Sequence, residues 1–180
     1  MQTIILNDKK IKIAPLSKKD LELVKEFQEF LNSLVAEDAK ILVNEKISLR
    51  KEMEFLQNGI KSTKDKKKVY LIAKDGNKVV ANTSIESGVY KRNHIGKLGI
   101  AIRNGYRGMG LGKYLMKEIM EIAEKELKPT PKMFQLEVYE NNKPAIALYK
   151  KMGFKIVGKI PKQLQHKGKL ISEYIMIKYL

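Results

Sequence analysis

Cysteine and tryptophan are absent from this 180-residue chain, and histidine occurs only at His94 and His166. Without cysteine there is no disulfide, no thiolate metal site and no cysteinyl-enzyme intermediate. Two isolated histidines do not make a histidine-rich metal cluster, so no metal is expected. No apolar run approaches the ~18 or more residues of a membrane-spanning helix. The N-terminal stretch carries Asp8, Lys9 and Lys10 where a secretory leader would be apolar. The expected location is therefore the cytoplasm, with no membrane partner. Acidic residues are scarce as well: 20 Asp plus Glu face 36 Lys plus Arg, a formal net charge of +16. A domain this basic attracts polyanions. Its charge is spread along the chain, however, with Lys61 to Lys68 the densest run and reading as a solvated loop. Tyr70 and Tyr90 are too few for a visible base-stacking platform, so nucleic acid is a secondary reading.

What is present suits a folded globule. A hydrophobic fraction of 43% with 31% charged residues matches one domain over residues 1–180, long enough to bury a substantial core. A first strand is expected from Thr3 to Ile13, interrupted at Asn7-Asp8. Ser17, with Asp20 three residues on, is set as an N-cap before Leu21, Val24, Phe27, Phe30, Leu31 and Leu34 at helical spacing. A second helix follows Ser48, and the irregular stretch Val35 to Ile47 would suit a substrate-side connection. Val69 to Lys74 and Lys78 to Ile85 read as a hairpin about Asp75-Gly76-Asn77. A strand around Leu98 to Ile102 precedes a helix from Lys113 to Leu127, whose Leu115, Met116, Ile119, Met120 and Ala123 share a face. Phe134 to Tyr139 is a strand. Asn142 and Pro144 start another helix, which Gly153 ends. Phe154 to Ile160 and Leu170 to Tyr179 close the chain, joined by a Lys-rich connection. The order βααβββαβαββ indicates one α/β domain with a mixed sheet.

The segment between the Leu98 to Ile102 strand and its helix carries the strongest chemical signal: Arg107, Gly108, Met109, Gly110, Leu111, Gly112 and Lys113. The first N–H groups of a helix lack intrahelical partners and form an anion site. Glycines let a phosphate approach the backbone, and Arg107 and Lys113 add positive charge. An ordinary glycine turn before a core helix is the bland reading. A P-loop is excluded, because Arg107 holds its first-Gly position and Tyr114 its hydroxyl position. The dinucleotide fingerprint G-x-G-x-x-G fails because Lys113 stands where its third Gly should be.

The pattern that remains, R-x-x-G-x-G, resembles the pyrophosphate loop of the GCN5-related N-acetyltransferases, the GNAT superfamily. A second block strengthens the resemblance. Leu136-Glu137-Val138, then Asn142, Ala145, Ile146, Leu148 and Tyr149, then Gly153-Phe154, is similar to the RimI-type ribosomal-protein and N-terminal acetyltransferases, which share L-E-V, N-x-x-A-I-x-L-Y and G-F. Together the blocks cover about residues 69 to 158. The resemblance implies a single-domain GNAT fold, a mixed but mostly antiparallel sheet flanked by helices. It also implies acetyl-CoA as co-substrate, a polyanion that suits the basic charge, and a primary-amine acceptor: a protein N-terminus, a lysine or a small amine.

Site roles follow from the same resemblance. The turn from Gly108 to Lys113 would hold the pyrophosphate. Ile100, Ala101 and Ile102 would pair their backbone with the pantetheine arm as an added strand, one N–H polarising the thioester carbonyl. Asn142 would bond the same arm, or simply cap its helix. Tyr149 would donate a proton or hydrogen bond to the departing thiolate, although a tyrosine on an apolar helix face commonly serves packing. Glu137 matches the glutamate that takes the amine proton in RimI-like enzymes, with a solvated strand residue as the competing reading. Many relatives carry a glutamate in a segment like H-x-x-E-L-G. Here His94-Ile95-Gly96-Lys97-Leu98-Gly99 places Lys97 there, which leaves Glu86 and His94 as reserve bases. The contrasting class is a GNAT-like scaffold that holds coenzyme or nucleic acid without catalysis.

Overall fold

The computed structural model describes residues 2–180. The single strand expected at the start is two: β1 (Gln2–Leu6) and β2 (Lys9–Pro15) pair antiparallel. Asn7 and Asp8, at φ 45° and 62°, make the tight turn between them, a backbone shape these short polar side chains tolerate. Ser17 caps a 3-10 turn (Lys18–Leu23) rather than the long helix directly. Its N–H and hydroxyl both donate to the Asp20 carboxylate, at 2.9 and 2.8 Å. Then come α1 (Val24–Ala36), which buries Phe27, Phe30 and Leu34, and α2 (Leu49–Lys64), capped by Ser48. The next strands are β3 (Lys68–Asp75), β4 (Lys78–Ser87) and β5 (Ile95–Ile102). The chain continues through α3 (Leu111–Glu126), β6 (Met133–Tyr139), α4 (Lys143–Lys151), β7 (Lys155–His166) and β8 (Lys169–Tyr179). The Lys-rich connection expected before β8 is mostly strand. Pairing of Leu164 with Ile171 carries β7 on to His166, past an irregularity between Ile160 and Leu164.

Among the described residues, eight strands form one sheet in the order β1-β2-β3-β4-β5-β6-β8-β7. Every pairing is antiparallel except β5 with β6, so the mixed, mostly antiparallel sheet expected from sequence is the one that forms. Alternation along each strand sends side chains to two opposite layers. Leu71, Ile85, Phe134, Leu136 and Met176 meet the Leu115, Met116 and Ile119 face of α3. Tyr70, Ile72 and Val79 meet Phe27, Phe30, Leu34 and Leu56 of α1 and α2. Met116 and Met120 are buried in the first layer, where their role is packing.

The parallel pairing of β5 with β6 covers only Ile95 to Lys97 against Met133 to Gln135. At its centre a Cβ on Gly96 would stand 2.8 Å from both Phe134 Cδ1 and Ile85 Cγ2, so only glycine fits. Beyond Lys97 and Gln135 the two strands part. A crevice opens between them, flanked by β5 and β6 and by the turn into α3.

Candidate active site

One wall of the crevice is the free edge of β5. The Arg103 N–H donates to the Val80 carbonyl at 2.8 Å. Together with the register of β4 on β5, that bond assigns the antiparallel pattern. Asn82 and Ala101 exchange backbone hydrogen bonds, whereas Leu98, Ile100 and Ile102 turn their backbone groups to the crevice. The Ile102 carbonyl is taken by Arg107 Nε at 2.7 Å. The expectation for Ile100 to Ile102 is therefore corrected in one member: Ala101 is committed to β4, and the edge available to a ligand is Ile100 with the Ile102 N–H.

The mouth of the crevice is the turn into α3. Gly108 and Gly110 hold φ of 76° and 91°, and a Cβ on either would meet nothing within 4 Å. Their absent side chains thus serve a left-handed backbone beside open space. Gly112 differs, because a Cβ there would sit 3.1 Å from Leu148 Cδ2 and 3.2 Å from Ile102 Cδ1. It lets α3 pack closely on β5 and α4. The Tyr114 N–H donates to the Gly110 carbonyl, so the N–H groups of Leu111, Gly112 and Lys113 precede the first helical donor. Leu111 is buried, Met109 packs on the core and Lys113 is exposed. Arg107 is ion-paired with Glu37, at the end of α1.

Tyr149 and Glu137 sit on opposite faces of the sheet. Tyr149, buried on α4, belongs to the layer that contains α3, with its ring 6.3 Å from that of Phe154. No described residue hydrogen-bonds its hydroxyl, and burial pushes its pKa up to about 12. Asn142 stands at the N-cap of α4, yet its side chain makes no capping bond. Glu137 alternates with the core residues Leu136 and Val138, so it points to the layer of α1 and α2, where it is exposed. Gln135 Nε2 donates to it at 3.3 Å.

Three features escaped the sequence reading. Glu173 of β8 stands opposite Tyr139 and diagonal to Glu137, facing the same layer. It is buried, and burial first, then the charge of Glu137, raises its pKa. The loop after α1 crosses this face: the Tyr139 hydroxyl donates to the Ile41 carbonyl at 2.9 Å, Lys40 Nζ to the Asn141 carbonyl at 3.0 Å, and His166 Nε2 lies 3.4 Å from an Asp38 carboxylate oxygen. That cross-chain web has no local sequence signature, although the irregularity of Val35 to Ile47 had marked the loop. Finally, a cavity of about 430 Å³ adjoins the apex of the crevice, with Ser84, Glu86, Arg92, Lys97 and Gln135 in its lining. A recess of about 50 Å³ reaches from Lys97 and Gln135 to Glu137. Of the reserve bases, Glu86 is paired with Lys68 at 3.1 Å. His94 precedes β5 at the end remote from the glycine turn.

The fold is thus a single mostly antiparallel sheet that splits between two parallel strands, with a glycine turn and a helix start at the opening. The chain belongs to the acetyltransferase (GNAT) family, whose model matches residues 29–154. It is similar to the L-amino acid N-acetyltransferase AaaT of Escherichia coli, 31% identical over 86 residues that make up 48% of this chain and 52% of that protein. It is also similar to an N-alpha-acetyltransferase of Sulfurisphaera tokodaii, 42% identical over 67 residues, 37% of this chain and 38% of that one. The alignments thus span about half or less of these curated relatives. The crystal structure of a GNAT-family acetyltransferase from Streptococcus pneumoniae superposes with a TM-score of 0.81 at 28% identity, over 94% of this chain and 99% of that one.

Proposed function

We propose that this protein is an acetyl-CoA-dependent N-acetyltransferase, which moves an acetyl group to a primary amine by direct attack in a ternary complex. The observation that carries this reading is the crevice itself, with a hydrogen-bond donor, Tyr149, on one face and a carboxylate, Glu137, on the other. Family membership and the N-acetyltransferase names of both curated relatives support it. The residues present fit the co-substrate. The glycine turn from Gly108 to Lys113 offers unpaired N–H groups to the pyrophosphate. Ile100 and the Ile102 N–H offer a strand edge to the pantetheine arm, and the uncommitted amide of Asn142 adds a further partner. Arg107, tied to Glu37, shapes the loop and contributes its charge at a distance.

The chemistry divides between the two faces. A protonated amine is not a nucleophile, so Glu137 accepts its proton, directly or through one water. The amine nitrogen bonds to the acetyl carbon while the carbon–sulfur bond breaks, and a β5 edge N–H stabilises the oxygen as charge develops. Tyr149 then meets the leaving thiolate. An ordinary alkyl thiol ionises near ~8.5, well below the tyrosine, so the phenol stabilises the thiolate by donating a hydrogen bond rather than by surrendering its proton outright. The test follows free thiol from acetyl-CoA with a panel of amines and peptides, in wild type and Glu137→Gln. A slower variant with unchanged coenzyme affinity, whose deficit shrinks as pH rises and more acceptor is already neutral, is the expected outcome. Superimposable pH–rate profiles would remove Glu137 from the mechanism, and no thiol release with any amine would remove the activity.

A further inference from the structure

Charge is divided across the apex of the crevice. On the β5 side, Lys97 stands in register opposite Glu86 of β4 and Gln135 of β6. It lines both the 430 Å³ cavity and the recess that reaches Glu137. Arg92, on the turn before β5, lines the same cavity. Glu86, the one carboxylate among the described lining residues, is already engaged by Lys68 at 3.1 Å. Neither Lys97 nor Arg92 has an ion-pair partner among the described residues.

On the β6 and β8 side the sign reverses. Glu137 and Glu173 are diagonal neighbours on the same face, about 7–8 Å apart in such pairs. Neither has a cationic partner within ion-pair distance among the described residues, and Asp38 beside Tyr139 has only His166. Lys97 and Glu137 line one recess, and Lys97 and Arg92 one cavity, so uncompensated cations and a carboxylate lie within the span of one small molecule. In a chain of net charge +16, carboxylates left unpaired beside free cations are arranged for a ligand that carries both signs.

We propose, on the basis of the acetyltransferase reading above, that the acceptor is a small amine bearing a carboxylate, an amino-acid-like zwitterion. Lys97 and Arg92 hold its carboxylate and Glu137 receives its ammonium. Lys97 therefore acts as a specificity residue, at the position where many relatives carry a glutamate. Val89 and Ile95 in the cavity lining offer an apolar surface to a side chain. A protein N-terminus presents an amide where this carboxylate would be, and a polyamine presents a second cation. Both would leave Lys97 and Arg92 unmatched, and like charge repels. In the transfer the ammonium gives one proton to Glu137, a carbon–nitrogen bond replaces the carbon–sulfur bond, and the second proton, shed from the newly acylated nitrogen, passes through water to the thiolate, so that an N-acetyl amino acid and coenzyme A thiol leave.

The test uses the full chain and L-amino acids with apolar, polar, acidic and basic side chains, each beside its own α-amide. Calorimetry measures their binding to protein saturated with coenzyme A, and thiol release from acetyl-CoA measures turnover. For the best amino acid, the free carboxylate should improve affinity and kcat/KM over the amide by about 10–100-fold, the usual worth of a charge-assisted contact. Lys97→Gln combined with Arg92→Gln should erase that preference, chiefly by raising KM for the amino acid, with melting temperature and coenzyme affinity as folding controls. Equal binding of acid and amide by wild type, or a preference that survives the double substitution, overturns the proposal. Turnover of amides or peptide N-termini alone would sink it while sparing the acetyltransferase reading. Selective binding of amino acids without thiol release would do the reverse.

Discussion

At Tyr149 no hydrogen bond ties the phenol to the rest of the fold, since its contacts are those of a ring among core side chains. Tyr149→Phe keeps those contacts, so the melting temperature should barely move. Turnover should fall by about 10²–10³-fold, the range for loss of one hydrogen-bond donor to a developing charge. Measuring both on one preparation checks the assignment, and an unchanged kcat would return Tyr149 to packing. Glu52 makes the opposite case, a buried group with a cost. One carboxylate oxygen has no hydrogen-bond partner, and burial pushes the carboxyl from its ordinary 4.5 up to about 7. A folded-state pKa raised above the unfolded one gives stability that is whole below pH ~4.5 and lost as pH rises through 7. Glu52→Gln should therefore be the more stable protein above pH 7, by up to about 3 kcal/mol once solvent screening of the carboxyl is allowed for, and match wild type below the unfolded value. Thermal melts at pH 4 and pH 8 check the sign, and a variant weaker at both would refute it.

At the scale of the element, the turn into α3 separates two kinds of glycine. Gly110 caps the helix with φ 91° and open space around it, whereas Gly112 is enclosed by Leu148 and Ile102. Gly110→Val should cost about 1–3 kcal/mol in backbone strain and leave a folded protein. Its acetyl-CoA affinity should drop at least about tenfold, because the branched side chain fills the approach to the N–H groups. Gly112→Val should act on stability first, since α3 must move away from β5. Calorimetry beside thermal melts distinguishes them, and unchanged affinity in folded Gly110→Val would move the phosphate elsewhere. The ion pair of Arg107 with Glu37 belongs to this scale too. It joins the same turn to the start of the loop after α1.

For the whole molecule the net charge of +16 is the property to test. It keeps alive the rival reading, a scaffold that binds coenzyme or nucleic acid without catalysis. Non-specific binding to duplex DNA rests on counterion release and should weaken by about 10³–10⁵ between 50 and 200 mM salt where six to ten phosphates are contacted. Coenzyme A has three phosphates, and its strand-edge and N–H contacts do not depend on a counterion atmosphere. Its affinity should therefore fall far more gently over the same interval. Parallel salt titrations with a DNA duplex and with acetyl-CoA make the comparison, and a duplex that stayed bound at high salt would favour the rival. No helix among the described residues is long and apolar enough to cross a membrane.

By itself the sequence determined the elements and the local chemistry. The helical spacing of Leu115, Met116, Ile119 and Ala123, the Asp75-Gly76-Asn77 turn, the Asn142-Pro144 helix start and the glycine turn are short-range patterns, in which each residue and its partner lie within a turn or a strand pair. They survived folding because packing agreed with them. The tertiary structure decided what depends on residues far apart in the chain. The single strand expected at the start became a hairpin once β2 found β3, and β7 lengthened because β8 lay beside it. Which backbone groups of Ile100, Ala101 and Ile102 face the crevice depends on their register against β4. The splay of β5 from β6, the diagonal placing of Glu137 and Glu173, and the recess that Lys97 shares with Glu137 are consequences of strand order. A side-chain pattern has a period of two and names its own face, but not its neighbour. The neighbour comes from the whole sheet, and in this protein that is where charge, crevice and cavity meet.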